Sequence, residues 1–151
     1  METTGIQIWD FIASTDVFTL ATCHRGKPYC TPCFYAFDPT EKLLVFKSEV
    51  GTRHVTELLL QPQIAGSILP KTPTIGKVKG VQFSGEALPL EEVKNSNRLK
   101  QLYYKSFPMA LPMVGELWVI ALSNIKMTDN TLGFGKKLRW ERTEEVSANL
   151  N

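Results

Sequence analysis

The sequence is poor in several kinds of residue, and each shortage excludes a class of protein. It has only 2 histidines and 3 cysteines among 151 residues, and 17 basic residues against 15 acidic ones. A net charge of +2 is too small for the concentrated basic face of a nucleic-acid-binding domain. No apolar run approaches the about 20 residues of a membrane-spanning helix. The N-terminus, METTGIQIWDF, has neither the basic start nor the apolar core of a signal peptide, so we expect a cytoplasmic protein with no membrane partner.

The cysteines, Cys23, Cys30 and Cys33, are odd in number and close together, unlike a secreted disulfide framework. Cys30-x-x-Cys33 downstream of Cys23-His24 suggests zinc ligation. However, residues 29–37, YCTPCFYAF, have the pattern of a strand, on which residues three apart point to opposite faces. We therefore expect buried or half-buried free thiols and no metal site.

The chain length fits one domain, residues 1–151, and 43% hydrophobic residues supply an ordinary globular core. Helical spacing and capping residues predict helices at 4–15, 52–61 and 91–107. Apolar and alternating runs predict strands at 17–22, 29–37, 43–47, 64–69, 78–88 and 117–122, with a short seventh at 138–140. So many short strands with so few helices predict a mainly β fold, a six- to seven-stranded antiparallel barrel, closed or partly closed.

The stretch LLVFKSEVGTRHVTELLLQP, residues 43–62, contains a candidate anion site. Thr52 is a suitable N-cap, because its hydroxyl can accept from the free amides of the first helical turn. Arg53, His54 and Lys47 would add donors where the helix presents its partial positive charge. These residues alone fit a phosphate pocket and an ordinary capped helix equally well. Pro32 cannot donate to a sheet, so it marks an edge, a bulge or a missing ladder partner.

These elements and residues, taken in order, resemble the pyridoxamine-phosphate-oxidase-like flavin-binding split barrels. The matching features are the LAT strand, the Gly-x-Pro hairpin, the Thr-Pro strand ending in Phe-Asp, the Phe-x-Ser strand, the Thr-Arg-His helix start and the closing Gln-Pro. The segments FPMALP and IKMTDNTLGFGKK are similar to a small bacterial branch of that family, the YhbP-like proteins.

The resemblance implies a homodimer with FMN in the interface between two split barrels. It assigns the flavin phosphate to Thr52, Arg53 and His54, with support from Lys47 and Ser48. The flavin ring would run along Thr31, Pro32, Cys33 and Phe34 on one strand and Phe46, Lys47 and Ser48 on the next. This sequence departs from the family in having His54 where lysine is usual, and Gly80 where a glutamine often faces the flavin. Gln82, on the same strand face as Gly80, is the expected substitute.

The function expected from the resemblance is flavin-dependent oxidoreduction of a small molecule, in which the cofactor supplies the chemistry. This suits a sequence without a Ser/His/Asp triad or paired carboxylates. The alternative is a non-catalytic module that binds flavin or haem. Pyridoxamine-phosphate oxidation itself is not expected, because the chain is short of the family's C-terminal substrate segment. The loop 129–137, DNTLGFGKK, is either a solvated loop or a contact in which Phe134 stacks and Lys136 or Lys137 receives an anion.

Overall fold

A computed structural model describes residues 2–133 and 135–143 of the chain. Its helices are α1 (Glu2–Ala13), α2 (Arg53–Leu60) and α3 (Ser96–Ser106). Its strands are β1 (Val17–His24), β2 (Lys27–Asp38), β3 (Leu43–Ser48), β4 (Gln63–Ile68), β5 (Lys79–Pro89), β6 (Glu116–Asp129) and β7 (Lys137–Glu141). Single 3₁₀ turns form at Leu90–Glu92, Pro108–Ala110 and Asn130–Leu132.

The seven strands form one antiparallel sheet that closes on itself. Their order is β3-β2-β1-β4-β5-β6-β7, and β3 also pairs with β6 from Leu43 opposite Ala121 to Ser48 opposite Glu116. This last pairing closes six strands into a ring, and β7 extends the sheet beyond β6. The predicted mainly β fold, an antiparallel split barrel with inserted helices, is confirmed.

Two element boundaries differ from the sequence prediction by more than two residues. The sixth strand continues to Asp129 because the polar residues after Leu122 alternate with buried Ile125 and Met127, and this half of β6 pairs with both β5 and β7. The predicted helix 91–107 is wrong at its start. Asn95 has a left-handed backbone, with φ of 61°, which separates the 3₁₀ turn Leu90–Glu92 from α3.

The close approach of β5 to β6 depends on Gly85. The register of β5 against β6 shifts between Ser84 and Gly85. A Cβ atom at Gly85 would lie 2.5 Å from the carbonyl oxygen of Ala121, so the two strands approach each other more closely than any side chain allows. Position 85 therefore requires glycine.

The hydrophobic residues form two clusters. One fills the barrel, where Phe18 packs edge-on against Phe46 at a ring-centroid distance of 5.6 Å. Trp118 is buried in this cluster, and Trp140 packs against its edge. The other lies between the outer face of the barrel and α3, whose Leu99 and Tyr103 are buried as their helical spacing predicts.

The thiols are free, but their burial differs from the expectation. Cys33 is buried, as predicted, whereas Cys23 and Cys30 are exposed. The reason is the strand alternation: Cys33 points into the barrel, and Cys30 points outward from the β1–β2 hairpin. Cys30 and Cys33 therefore lie on opposite faces, as the strand prediction required.

In the described part of the chain, no helix has the length and apolar character needed to span a bilayer.

Candidate functional site

The barrel is split between β2 and β3. Strand β2 pairs with β1 along its length from Lys27 to Phe34, but it pairs with β3 only from Tyr35 to Asp38. Before Tyr35 the edge of β2 that faces β3 has no strand partner within the described residues. Pro32 lies on this open edge, with Thr19 of β1 on its other side. The prediction that Pro32 marks a missing ladder partner is confirmed.

A cavity of about 360 Å³, here called the cleft, occupies this split. Its strand wall consists of Pro32, Cys33 and Phe34 of β2 and Lys47 and Ser48 of β3. Its other wall, here called the roof, is formed by the end of α3 and the segment after it. The roof residues are Tyr103, Phe107, Met109, Ala110, Met113 and Val114. The cleft is therefore polar at its β3 end and apolar elsewhere.

Five of the seven residues expected to line a flavin ring meet in the cleft. The other two, Thr31 and Phe46, belong to the inward-facing set. Phe46 is fully buried in the barrel core, and Thr31 is half-buried opposite Leu20 of β1. Phe46 pairs with Tyr35, where β2 and β3 are still joined, so it lies on the closed side of the split.

Cys33 borders the cleft from the barrel side. Burial raises the pKa of its thiol to about 11, and a side-chain hydrogen bond with Ser48 opposes this shift in part. The thiol is therefore protonated at neutral pH and is a poor nucleophile. Its contribution to the cleft is a small apolar surface.

Lys47 joins the strand wall to the roof. Its Nζ donates to the carbonyl oxygen of Ala110 at 2.8 Å and to the hydroxyl of Tyr104 at 3.0 Å. The ammonium group also lies 5.1 Å from the centre of the Tyr104 ring. Lys47 thus points along the roof, and its expected support of a phosphate at the start of α2 stays a prediction.

Thr52 holds the N-cap position of α2, but its hydroxyl acts differently from the expectation. The hydroxyl donates to the carbonyl oxygen of Glu49 at 2.8 Å, and it makes no cap hydrogen bond to the helix. The predicted capping contact is therefore wrong. The first-turn amides lack a side-chain cap, which leaves donors at the helix start for another acceptor.

Arg53 is held by two neighbours. Its Nε lies 3.5 Å from Oε2 of Glu57, and its guanidinium lies 4.2 Å from the centre of the Tyr29 ring. Glu57 is buried, whereas 54% of the Arg53 side chain is exposed. Because the salt bridge uses Nε and the side chain is half-exposed, Arg53 is oriented while keeping access to solvent and to an anion.

His54 connects the helix start to the cleft. Its Nε2 lies 2.8 Å from Oγ of Ser48, which lines the cleft. Partial burial lowers the pKa of the imidazole below its usual 6.5. In the free protein the ring is therefore mostly neutral at pH 7.

Gln82 and the loop 129–137 lie away from the cleft. Gln82 is exposed on the outer face of β5. Across the sheet, Pro32 of β2 pairs with Thr19 of β1, Thr19 with Ser67 of β4, and Ser67 with Gln82. Three strand spacings of about 4.8 Å place it roughly 14 Å from Pro32 along the sheet. The loop follows β6 at the end opposite the cleft, where the buried carboxylate of Asp129 accepts from the amide of Thr131. The proposed stacking residue Phe134 lies outside the described residues.

The roof is the part of the site that sequence reasoning missed. Residues 108–114 fall between the predicted helix 91–107 and the predicted strand 117–122. The signal in the sequence is FPMALPMV, an uncharged apolar run with two prolines. The prolines exclude a regular helix or a central strand. So long an apolar run in a loop indicates a surface that contacts another part of the protein, a partner or a ligand.

The cleft and the start of α2 together suit a flat cofactor with a phosphate tail. The cleft offers an apolar surface with one charged end, and the His54–Ser48 hydrogen bond joins it to the uncapped amides and Arg53. These are the donor types that phosphate requires. The residues present therefore fit a flavin mononucleotide.

Comparisons with known proteins find relatives by sequence and solved structures with a similar fold. A UPF0306 protein of Serratia proteamaculans is 40% identical over 138 residues, which cover 91% of this chain and 94% of the relative. Among solved structures, a heme binding protein from Mycobacterium smegmatis superposes with a TM-score of 0.77 at 17% identity, covering 91% of this chain and 57% of that one. An FAD-binding protein from Mesorhizobium loti superposes with a TM-score of 0.67 at 15% identity, covering 80% of this chain and 88% of that one.

The family model described as pyridoxamine 5'-phosphate oxidase matches residues 6–124, which include the cleft and the start of α2. This range spans most of the chain, and the Serratia relative is similar over nearly its whole length. The chain therefore belongs to the pyridoxamine 5'-phosphate oxidase-like family of split barrels, on its UPF0306 branch.

Proposed function

We propose that this protein binds FMN and uses it in the oxidoreduction of a small molecule. The observation that carries the proposal is the connection between the cleft and the start of α2 through Ser48 and His54. A flat apolar cleft and a phosphate-binding helix start are then parts of one site.

The phosphate would be held at the start of α2 by the amides after Thr52 and by the side chains of Arg53 and His54. Arg53 has its guanidinium fixed by Glu57 and Tyr29, which reduces the entropy lost on binding. The flavin ring would lie in the cleft against Pro32, Cys33, Phe34, Lys47 and Ser48. Thr31 and Phe46 would support this wall from inside the barrel.

When bound, flavin supplies hydride or electron transfer, and the protein binds, orients and shields. The residues of the cleft are suited to binding and shielding a cofactor. Cys33 is protonated and Lys47 is held by neutral oxygens, so neither competes as a nucleophile. The apolar roof would limit the access of water.

A homodimer is the assembly we propose, with the flavin at the interface. Phe34, Met109 and Val114 are exposed around the mouth of the cleft, with 87% of Met109 accessible. A second copy packed here would cover this apolar surface. Gln82, remote from the cleft of its own chain, would reach the flavin only from the partner. A cytoplasmic location, which free thiols favour, stays a prediction.

A non-catalytic haem-binding module is the second candidate, because one structural neighbour is a heme binding protein. The apolar roof would accept a porphyrin face. His54 is the one histidine adjoining the cleft among the described residues, and its Nε2 is engaged by Ser48. An iron ligand would have to displace that contact, so the flavin assignment fits the observed geometry better.

The test is to record the absorption of the purified protein and its thermal unfolding with added FMN or haemin. We expect flavin bands, or a rise in Tm with FMN that grows with its concentration. Reduction of the bound flavin by NADH or NADPH would then support the enzyme. No reduction by either donor and no turnover with any acceptor would favour a binding module. A rise in Tm with haemin alone would contradict the flavin assignment.

A further inference from the structure

The charge of Lys47 has no acidic partner in the described part of the chain. The four ion pairs found there, with N–O distances of 4.0 Å or less, involve other residues. The two oxygens bound to Nζ, those of Tyr104 and Ala110, are neutral. An ammonium group has three hydrogens, so one donor remains for a ligand.

This uncompensated charge lies in a half-buried position at the edge of an apolar cavity. Water screens such a charge less than it screens a surface lysine, so its attraction for an anion is stronger. An anionic group at this position would gain a charge-assisted hydrogen bond. A neutral ligand would leave the charge partly desolvated and unpaired.

The remainder of the cleft favours a ligand whose body is apolar. The roof contributes Met109 and Met113, whose flexible and polarizable side chains adapt to ligands of different shape. Phe34 of the strand wall and Phe107 of the roof have ring centroids 5.7 Å apart, which narrows the cavity between them. A flat or compact hydrophobic group would fit there.

We propose that the substrate of the cleft is an amphipathic organic acid. Its carboxylate or similar acid group binds Lys47, and its apolar body lies on the roof side of the cleft, under Phe107 and the roof methionines and opposite the strand wall assigned to the flavin ring. This inference rests on the proposed function only in naming the acid as a substrate. The preference for an anion is a property of the chain without flavin.

The test uses flavin-free protein and two fluorescent probes with the same aromatic frame. Anilinonaphthalene sulfonate carries an acid group, and phenylnaphthylamine does not. We expect Lys47→Met to weaken binding of the sulfonate about tenfold or more, the range for a lost hydrogen bond to a charged group, and to change binding of the neutral probe less than twofold. Lys47→Arg should retain the affinity for both probes.

Two variants serve as controls. Lys105→Met removes an exposed charge from the last turn of α3, and Tyr104→Phe removes one contact of Lys47 while keeping its charge. Both should leave the ratio of the two affinities unchanged. If Lys47→Met loosens the roof, both probes weaken together, and the ratio still reports the charge.

An unchanged ratio in Lys47→Met, or an equal change in Lys105→Met, would overturn the proposal. FMN titration of the same wild-type protein reports separately on the proposed function. Loss of the anion preference with FMN binding intact would overturn the organic-acid site alone. An intact anion preference without FMN binding would overturn the flavin role alone.

Discussion

His54 Nε2 and Ser48 Oγ lie 2.8 Å apart, and this contact joins the start of α2 to the cleft. Ser48 ends β3 where that strand has separated from β2, and His54 lies in the first turn of the following helix. A ligand that changes the protonation of His54 will therefore alter the hydrogen bonding of a residue in the cleft wall.

FMN binding should depend on pH through His54. Burial lowers the pKa of the free imidazole, so the ring is mostly neutral above pH 7, whereas a bound phosphate dianion favours the imidazolium. Binding then takes up a proton, and affinity should rise as pH falls from 8.5 to 7, by at most about tenfold per pH unit for one proton. The second pKa of the phosphate, about 6, lies below this window. Fluorescence titration of FMN measures the slope.

Two substitutions isolate the histidine. His54→Gln should bind FMN more weakly with little slope over this range, and His54→Lys should bind tightly with little slope, because lysine stays charged throughout. The same slope in wild type and His54→Gln would exclude His54 as the titrating group.

Arg53→Ala should weaken FMN binding by ~1.5–3 kcal/mol, the range for a lost hydrogen bond to a charged group. The substitution also removes the salt-bridge partner of buried Glu57, so unfolding of the FMN-free variant must be measured alongside. Arg25→Ala makes the same charge change in the exposed β1–β2 turn and should leave the affinity unchanged. An unchanged affinity in Arg53→Ala would move the phosphate site elsewhere.

Arg98 should stabilise the attachment of α3, and hence of the roof, to the barrel. Its two amino groups each lie 3.0 Å from one carboxylate oxygen of Asp38, which is 1% exposed. Arg98→Met leaves that buried carboxylate without its cation and should lower the free energy of unfolding by about 1.5–3 kcal/mol. Urea denaturation measures the difference. As a control, Arg139→Met at an exposed position of β7 should change the free energy of unfolding by less than about 0.5 kcal/mol. If both substitutions have the same effect, the ion pair between Arg98 and Asp38 does not stabilise the fold.

Thiol reactivity should separate Cys33 from the other two cysteines. With its pKa raised to about 11, only roughly one Cys33 in a thousand is a thiolate at pH 8. Cys23 and Cys30 are exposed. Dithionitrobenzoate at pH 8 should therefore react rapidly with two thiols, and with the third only in denaturant. The Cys33→Ser variant should retain the two rapidly reacting thiols and show no third thiol in denaturant. Three equally rapid thiols would contradict the burial of Cys33.

The sequence predicted the parts of the site that depend on local patterns. The Thr-Arg-His start placed α2 to within a residue, and the missing donor of Pro32 indicated the open edge of β2. Alternation along β2 also places Thr31 on the inward face, together with Cys33.

The remaining features depend on contacts between distant segments. The roof reaches the cleft because α3 packs on the outside of β2 and β3, and Lys47 bonds to Ala110, 63 positions later. The position of Gln82 depends on the register of four strands. No local pattern specifies either relationship. The hydroxyl of Thr52 had two available partners, and the structure shows the carbonyl oxygen of Glu49 as the one it binds.

The most direct test of the central claim is a comparison of FMN with riboflavin, which has the same ring without the phosphate. Quenching of flavin fluorescence gives both Kd values under the same conditions. The proposed site predicts that FMN binds at least about tenfold more tightly, and that Arg53→Ala removes most of that difference. Equal affinities for the two flavins, or no binding of FMN, would contradict a flavin site with its phosphate at the start of α2.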